Sequence, residues 1–269
     1  MNFWDSVVER FGDNLETVLI PGAPLLMNKI VQALQKRTLT NLFSSVRFIV
    51  AAEMGVGVGR WIPSYALKDK YAVGIDISRG MLKIAKHRVV RAKLRNVDLI
   101  LASVEAIPLR SNIVDLSLSI TCIQHVIDET KHRCALSEIL RCTKGVAIFL
   151  ESKSMKKTLI LSHYYPTLLL PIEEYIKIFN ELKGRVVKLC GVDFLPFFWW
   201  LEKIRDFFYA RVPNLKIPIY GGSFAASFIR SIYYIFACFL IVSSSPFVFL
   251  FGENLVLSRH FLAIVKKLC

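Results

Sequence analysis

The sequence predicts an α/β fold, a doubly wound and mostly parallel sheet of seven strands with helices on both faces. Three observations predict it. Short apolar runs recur at 47–54, 71–77, 97–102, 113–120, 145–152, 185–195 and 255–267, and helical patterns separate most of them. The first run ends in "AEMGVGVGRW", three glycines at alternate positions just behind a glutamate, which marks a tight turn from strand into helix. The chain has 269 residues, 54% of them hydrophobic and 21% charged, enough for one large core.

Residues 1–45 read as an N-terminal helical cap. "FWDSVVERF" places Trp4, Val7, Val8 and Phe11 on one helical face. "PGAP" at 21–24 interrupts the pattern, and a second helix is expected over about 24–37. "RFIVAAEM" is the first buried strand, followed by a helix near 59–68. "YAVGIDI" is the second strand. "SRGMLKIAKHRVVRAKL" is a helix with Ser78 as its N-cap. "VDLILA" and "IVDLSLSI" are strands three and four. "HRCALSEILRCT" is a helix, and "GVAIFLES" is strand five. "PIEEYIKIFNELKG" is a helix ending at Gly184, "RVVKLCGVDFL" is strand six, and "LVLSRHFLAIVKK" is the last strand.

In an open parallel sheet, ligands bind beyond the carboxyl ends of the strands, where the strand order reverses. The glycine turn stands at such an end. The dinucleotide fingerprint G-x-G-x-x-G fails here, because its third glycine would fall on Arg60. Asp76, ending the second strand, can accept hydrogen bonds from both hydroxyls of a ribose. An adenosine-bearing ligand fits, and no pyrophosphate is required.

These stretches resemble the class I S-adenosylmethionine-dependent methyltransferases, in their small-molecule branch. "AAEMGVGVGRW" resembles the first motif of that family and "VGIDISRGMLKIAKHR" the stretch that follows it. "ASVEAIPLRSNIVDLSLSITCIQHVID" and "ALSEILRCTKGVAIFLE" are similar to the next two blocks. The resemblance implies a Rossmann-like methyltransferase domain over 46–269, with S-adenosylmethionine as cofactor. It implies that Glu53 lies near the methionine amino end and that Gly55 and Gly57 let the methionine part pass close to the backbone. Asp76 would hold the ribose and Ile77 would pack on the adenine, with Ser103 and Val104 beside it. Ile120 would line the methyl-donor side. The family usually has Asp where this chain has Ser103, and a hydroxyl accepts a hydrogen bond more weakly than a carboxylate.

His125, just past the fourth strand, is the candidate catalytic residue, able to orient an acceptor or take its proton. It is equally the kind of histidine that serves packing alone. His163, Tyr164 and Tyr165 read as a surface loop near the pocket, and Trp4 and Phe11 as core or as a cover for the cofactor. No Cys/His grouping has metal-ligand spacing, so no metal is expected. The six cysteines read as mostly buried thiols in a reducing compartment. The N-terminus has no apolar segment of the secretory type, which leads to an expectation of a cytoplasmic protein, with membrane association left open.

The formal net charge is +14, and residues 79–95 carry seven Lys and Arg and no acid. Such a balance suits an anionic membrane surface or, second, nucleic acid. Residues 231–251 form 21 uncharged residues broken by "SSSP", and they lie within an expected helical lid or insert at 196–253, before the last strand. The combined expectation is methyl transfer to a small, apolar or lipid-like acceptor. The alternatives are a tRNA or rRNA methyltransferase and a non-catalytic binding protein on the same fold. Against RNA, the fourth strand runs into "SITC", not the [D/N]-P-P-[Y/F] of enzymes that methylate base amines.

Overall fold

A computed structural model of the chain describes residues 3–19, 25–67, 69–161, 165–192 and 260–268. Its order is α1 (Phe3–Phe11), α2 (Leu25–Ser45), β1 (Val50–Met54), α3 (Ile62–Tyr65), β2 (Tyr71–Asp76), α4 (Arg79–Arg91), β3 (Val97–Leu101) and β4 (Val114–Ile120). There follow α5 (Glu129–Cys142), β5 (Thr143–Ser152), β6 (Thr158–Ile160), β7 (Thr167–Leu169), α6 (Ile172–Glu181), β8 (Gly184–Gly191) and β9 (His260–Lys267).

Seven strands form one sheet in the order β3-β2-β1-β4-β5-β9-β8. β1 pairs parallel with β2 and β4, β2 with β3, and β4 with β5, while β9 runs antiparallel between β5 and β8. The chain moves from β1 out to β3 and then back to the other side of β1. The reversal between β1 and β4 is the switch point where such sheets bind ligands.

Burial on both faces explains the continuous apolar runs. Ala52, Met54, Val73, Ile75 and Phe149 face the layer of α5 and α6. Ala51, Ala72, Leu116, Leu118 and Ile148 face α2, α3 and α4. The alternation is the two-residue period of a strand. Asp115 fixes the base of the sheet, where its Oδ2 accepts the amides of Ile49 and Val50, each at 3.0 Å.

Ser78 caps α4 as expected, its Oγ accepting from Met81 N at 3.0 Å. Met81, Ala85 and Val89 point inward, while Arg79, Lys83, Lys86, His87 and Arg91 are exposed. Several boundaries differ from those expected. α2 continues to Ser45 because Thr38 and Ser44 bond back to the carbonyls of Leu34 and Thr40, absorbing hydroxyls that otherwise favour helix ends. α3 is one turn only, started by Pro63 near its first position. The hairpin of β6 and β7 is an addition that the apolar pattern does not announce. Cys122, Cys134, Cys142 and Cys190 are free thiols, and Cys134 is exposed. Among the described residues no helix is long and apolar enough to cross a membrane. The expected insert 196–253, its segment 231–251, and the loop residues His163 and Tyr164 lie outside the described residues.

Candidate functional site

The glycine turn occupies the carboxyl end of β1. Gly55 and Gly57 have φ of +74° and +53°, backbone conformations that side chains with a Cβ avoid. The amides of Gly55 and Val56 donate to Ile75 O at 2.8 and 2.9 Å, which binds the turn to the end of β2. A Cβ on Gly55 would lie 2.2 Å from Cys122 Sγ. The space freed at Gly55 is therefore filled by Cys122, two residues past β4, and the turn and the β4 end touch directly.

Asp76 holds the neighbouring segment. It is 7% exposed; Oδ2 accepts from Gly57 N at 2.8 Å and Oδ1 from Ser78 N at 2.9 Å. Burial pushes its carboxyl up to about 6, against the lowering effect of the amides of Ser78, Gly57 and Ile77. With three amides on about four lone-pair positions, the carboxylate retains some acceptor capacity. Ile77 and Leu101 are 49% and 48% exposed, an apolar lip beside Asp76. Ser103 lies past β3 with its Oγ accepting from Glu105 N at 3.2 Å, and Val104 packs onto the α5/α6 core.

Glu53 is 1% exposed and points to the α3 side, where its Oε2 accepts from Tyr65 Oη at 2.8 Å. Burial raises its carboxyl to about 8, with Tyr65 and Arg60 working the other way. A third acid, Glu151 at the end of β5, is fully buried. Its Oε1 accepts from Ser119 Oγ at 2.6 Å and from the amides of Cys122 and Ile123 at 3.3 and 3.2 Å, while Oε2 accepts from Gln124 N at 3.4 Å. Burial pushes it up to about 7. Glu151 was missed in the sequence, though a signal exists: like Glu53 and Asp76, it is a lone acid near the carboxyl end of an apolar strand. The Cys122 thiol is pushed well up by burial and then by Glu151, Asp76 and Glu53.

Ile120, at the end of β4, is 4% exposed and packs among the residues facing α2–α4. The next residue, Thr121, has φ of +52°, a strained conformation for a β-branched residue. Past it, a 3-10 turn, Ile123–His125, carries the candidate catalytic histidine. His125 Nδ1 lies 3.0 Å from Pro166 O, and its Nε2 lies 3.2 Å from Gln124 Nε2. A carbonyl only accepts, so Nδ1 carries the proton and Nε2 accepts from the Gln124 amide. Gln124 Oε1 is itself occupied by Ser152 N at 2.8 Å, which fixes that amide's orientation. Burial lowers the His125 ring to about 4. His125 is thus a neutral imidazole with both nitrogens engaged, an orienting group rather than a poised base. Its ring meets Trp4 at 4.9 Å and Tyr165 at 5.8 Å, and Trp4 stacks on Tyr165 at 5.4 Å. Tyr165 Oη donates to Glu16 O, so the N-terminal cap, the β4 end and the residues just before β7 close into one aromatic wall.

The donor set suits S-adenosylmethionine. Asp76 retains acceptor capacity for hydroxyls, and the exposed apolar lip of Ile77 and Leu101 stands next to it.

Comparison with known proteins agrees. Residues 52–150 match the family described as "Methyltransferase domain". A SAM-dependent methyltransferase from Leishmania major is 20% identical, covering 71% of this chain and 77% of its own, with a TM-score of 0.57. The 1,6-didemethyltoxoflavin-N1-methyltransferase of Burkholderia thailandensis is 11% identical, covering 99% and 87%, with a TM-score of 0.57. The [4+2]-cyclase SpnF is 15% identical, covering 86% and 80%, with a TM-score of 0.54. At these identities the likeness concerns the fold, and a cyclase among the neighbours illustrates that one fold hosts several chemistries. A search of curated proteins gives no match.

Proposed function

We propose, from the match of residues 52–150 to the methyltransferase domain family, that the chain is a class I S-adenosylmethionine-dependent methyltransferase that methylates a small, apolar or lipid-like acceptor. The bound sulfonium supplies an electrophilic methyl group. The chain's own residues bind, align and exclude water. Asp76 offers its remaining acceptor capacity to hydroxyls. Glu151 holds the amides that follow β4, and Glu53 holds Tyr65 of α3, so both acids fix the walls of the site.

The observation that carries the acceptor class is the aromatic wall of Trp4, His125 and Tyr165 beside the β4 end. It offers ring faces and edges, and a His125 whose nitrogens are already engaged. The uncharged segment 231–251 in the sequence points the same way. With no free base on the wall, the fitting acceptors are apolar molecules whose nucleophilic atom needs little help in losing a proton.

The test is incubation of the purified chain with tritiated-methyl S-adenosylmethionine and either lipid and quinone-like extracts or total RNA. Label moving into the organic phase supports the proposal. Label confined to RNA replaces it with the second reading, which the exposed Arg79, Lys83, Lys86 and Arg91 of α4 favour.

A further inference from the structure

The amino ends of the parallel strands make a second surface, at the end of the sheet opposite the glycine turn. Parallel pairing brings together there the segments that enter β1, β2, β3 and β4. Hydrogen bonds knit these segments to one another. Tyr71 N donates to Ile49 O at 2.7 Å, and Asn96 Nδ2 donates to Leu67 O at 2.6 Å and to Lys70 O. With Asp115 holding the amides of Ile49 and Val50, this end is one preformed face rather than a set of separate loops.

Ile49, Leu67 and Ile113 stand out from that face, 69%, 49% and 46% exposed. Cations stand on the same segments. Arg47, Lys93 and Arg95 are exposed and enter no ion pair among the described residues. Two acids of this end are already engaged: Asp98 accepts from Tyr71 Oη, and Asp115 lies 3.8 Å from Lys144. Between the C-terminal end of α2 and the segment after α3 lies a cavity of about 360 Å³. Phe43 and Leu67 give it apolar wall, Ser44 a hydroxyl, and Arg47 and Lys70 two cations against the carboxylate of Asp69. Lys70 Nζ is held there, 3.8 Å from the ring centroid of Phe48.

Aliphatic side chains interspersed with unpaired cations suit an anionic bilayer. The aliphatic groups enter the acyl boundary while the cations meet headgroup phosphates. A nucleic-acid backbone would use the cations and leave Ile49 and Ile113 in water. We propose that this amino-end face docks on an anionic bilayer, with the cavity between Arg47 and Lys70 receiving a lipid phosphate. The proposal goes beyond methyl transfer and does not depend on the cofactor assignment. It places the chain where apolar molecules partition and leaves the glycine turn on the side facing water. Within the acceptor class above, it favours small molecules that can leave the bilayer.

The experiment is co-sedimentation of the full chain with vesicles of pure phosphatidylcholine and of equal parts phosphatidylcholine and phosphatidylglycerol. The wild-type chain should bind the anionic vesicles about tenfold or more tighter than the neutral ones. Arg47→Glu combined with Arg95→Glu should remove most of that preference, and Ile49→Ser alone should weaken anionic-vesicle binding about fivefold. Lys93→Glu gives an independent reading of the same face, with a loss of about fivefold. All these positions are exposed, so each variant should keep the wild-type melting temperature. Lys83→Glu with Lys86→Glu, on the outer side of α4, should change vesicle binding by no more than about twofold. Equal binding to neutral and anionic vesicles would overturn the proposal. So would a loss confined to the α4 pair. Binding of total RNA that the Arg47 and Arg95 substitutions abolish, without any vesicle binding, would replace the bilayer by nucleic acid at this face.

Discussion

Asp5 and Ser78 are 73 positions apart and joined by a 2.7 Å hydrogen bond, Ser78 Oγ donating to Asp5 Oδ1. The same oxygen accepts Gly80 N at 2.9 Å, so Asp5 of α1 helps cap α4 from outside. Ser78 in turn donates its amide to Asp76. The N-terminal cap is thereby tied to the residue that would hold the ribose.

Asp5→Ala should loosen this tie. The loss of an acidic partner at a helix N-terminus is expected to cost about 0.5–2 kcal/mol. A lower melting temperature and weaker S-adenosylhomocysteine binding should appear together. A stability loss with unchanged affinity would mean that α1 only packs.

The buried acids make unliganded stability fall as pH rises. Glu53, Glu151 and Asp76 have folded values of about 8, 7 and 6, above the ordinary carboxylate range. Between about pH 4.5 and 8 the native state binds more protons than the unfolded chain, so the slope of stability with pH from these groups is negative. Glu53→Gln should flatten the decline between pH 6 and 8.5, measured by thermal melts of the two proteins. An unchanged slope would show that Glu53 is ionised in the native state throughout.

His125 is expected to behave in the opposite sense. Its folded value of about 4 lies below the usual 6.5, so its stabilising contribution is complete above 6.5 and is lost as pH falls toward 4. Nitrogen-detected NMR of the imidazole should show a neutral ring, protonated at Nδ1, at pH 6. A midpoint near 6.5 would restore His125 as a base for catalysis.

Gly55→Ala should be among the most damaging small substitutions in the chain. It forces a side chain into φ of +74° and places a Cβ 2.2 Å from Cys122 Sγ and 2.6 Å from Cys122 Cβ. The conformation alone costs about 1–2 kcal/mol, and the clash adds to it. Cys122→Ala should not relieve the contact, since its Cβ remains. Cys122→Gly should recover the clash component but not the conformational one, a separation that a double-mutant cycle reads directly.

Much of this architecture was legible because it is local. The Ser78 cap is written in its own helix turn, and the glycine turn announces itself by spacing. Asp76 was visible as the acid that ends a strand. Glu151 carries the same local mark, but its importance arises from amides about thirty positions earlier, brought together only by the β4–β5 pairing. Ile120 was expected at the site because the strand end is there; the two-residue period of β4 places it with Leu116 and Leu118 on the face toward α2–α4. The hairpin of β6 and β7 was invisible because three-residue strands hold no detectable period. The neutrality of His125 follows from its burial, and its Nδ1–H tautomer from a carbonyl at Pro166, 41 positions away.

The place of β9 has a consequence for how such a chain diversifies. Val192 N donates to His260 O at 3.2 Å, and Gly191 pairs with Phe261. The facing ends of these antiparallel neighbours, Val192 and His260, are therefore close enough for a short turn to join. Joining them by many residues instead of a few costs only about 2–3 kcal/mol of closure entropy, because that entropy grows logarithmically with length. Sequence can thus be added or removed between these two ends, like beads at an open clasp, while the β8–β9 pairing and the glycine turn stay in register.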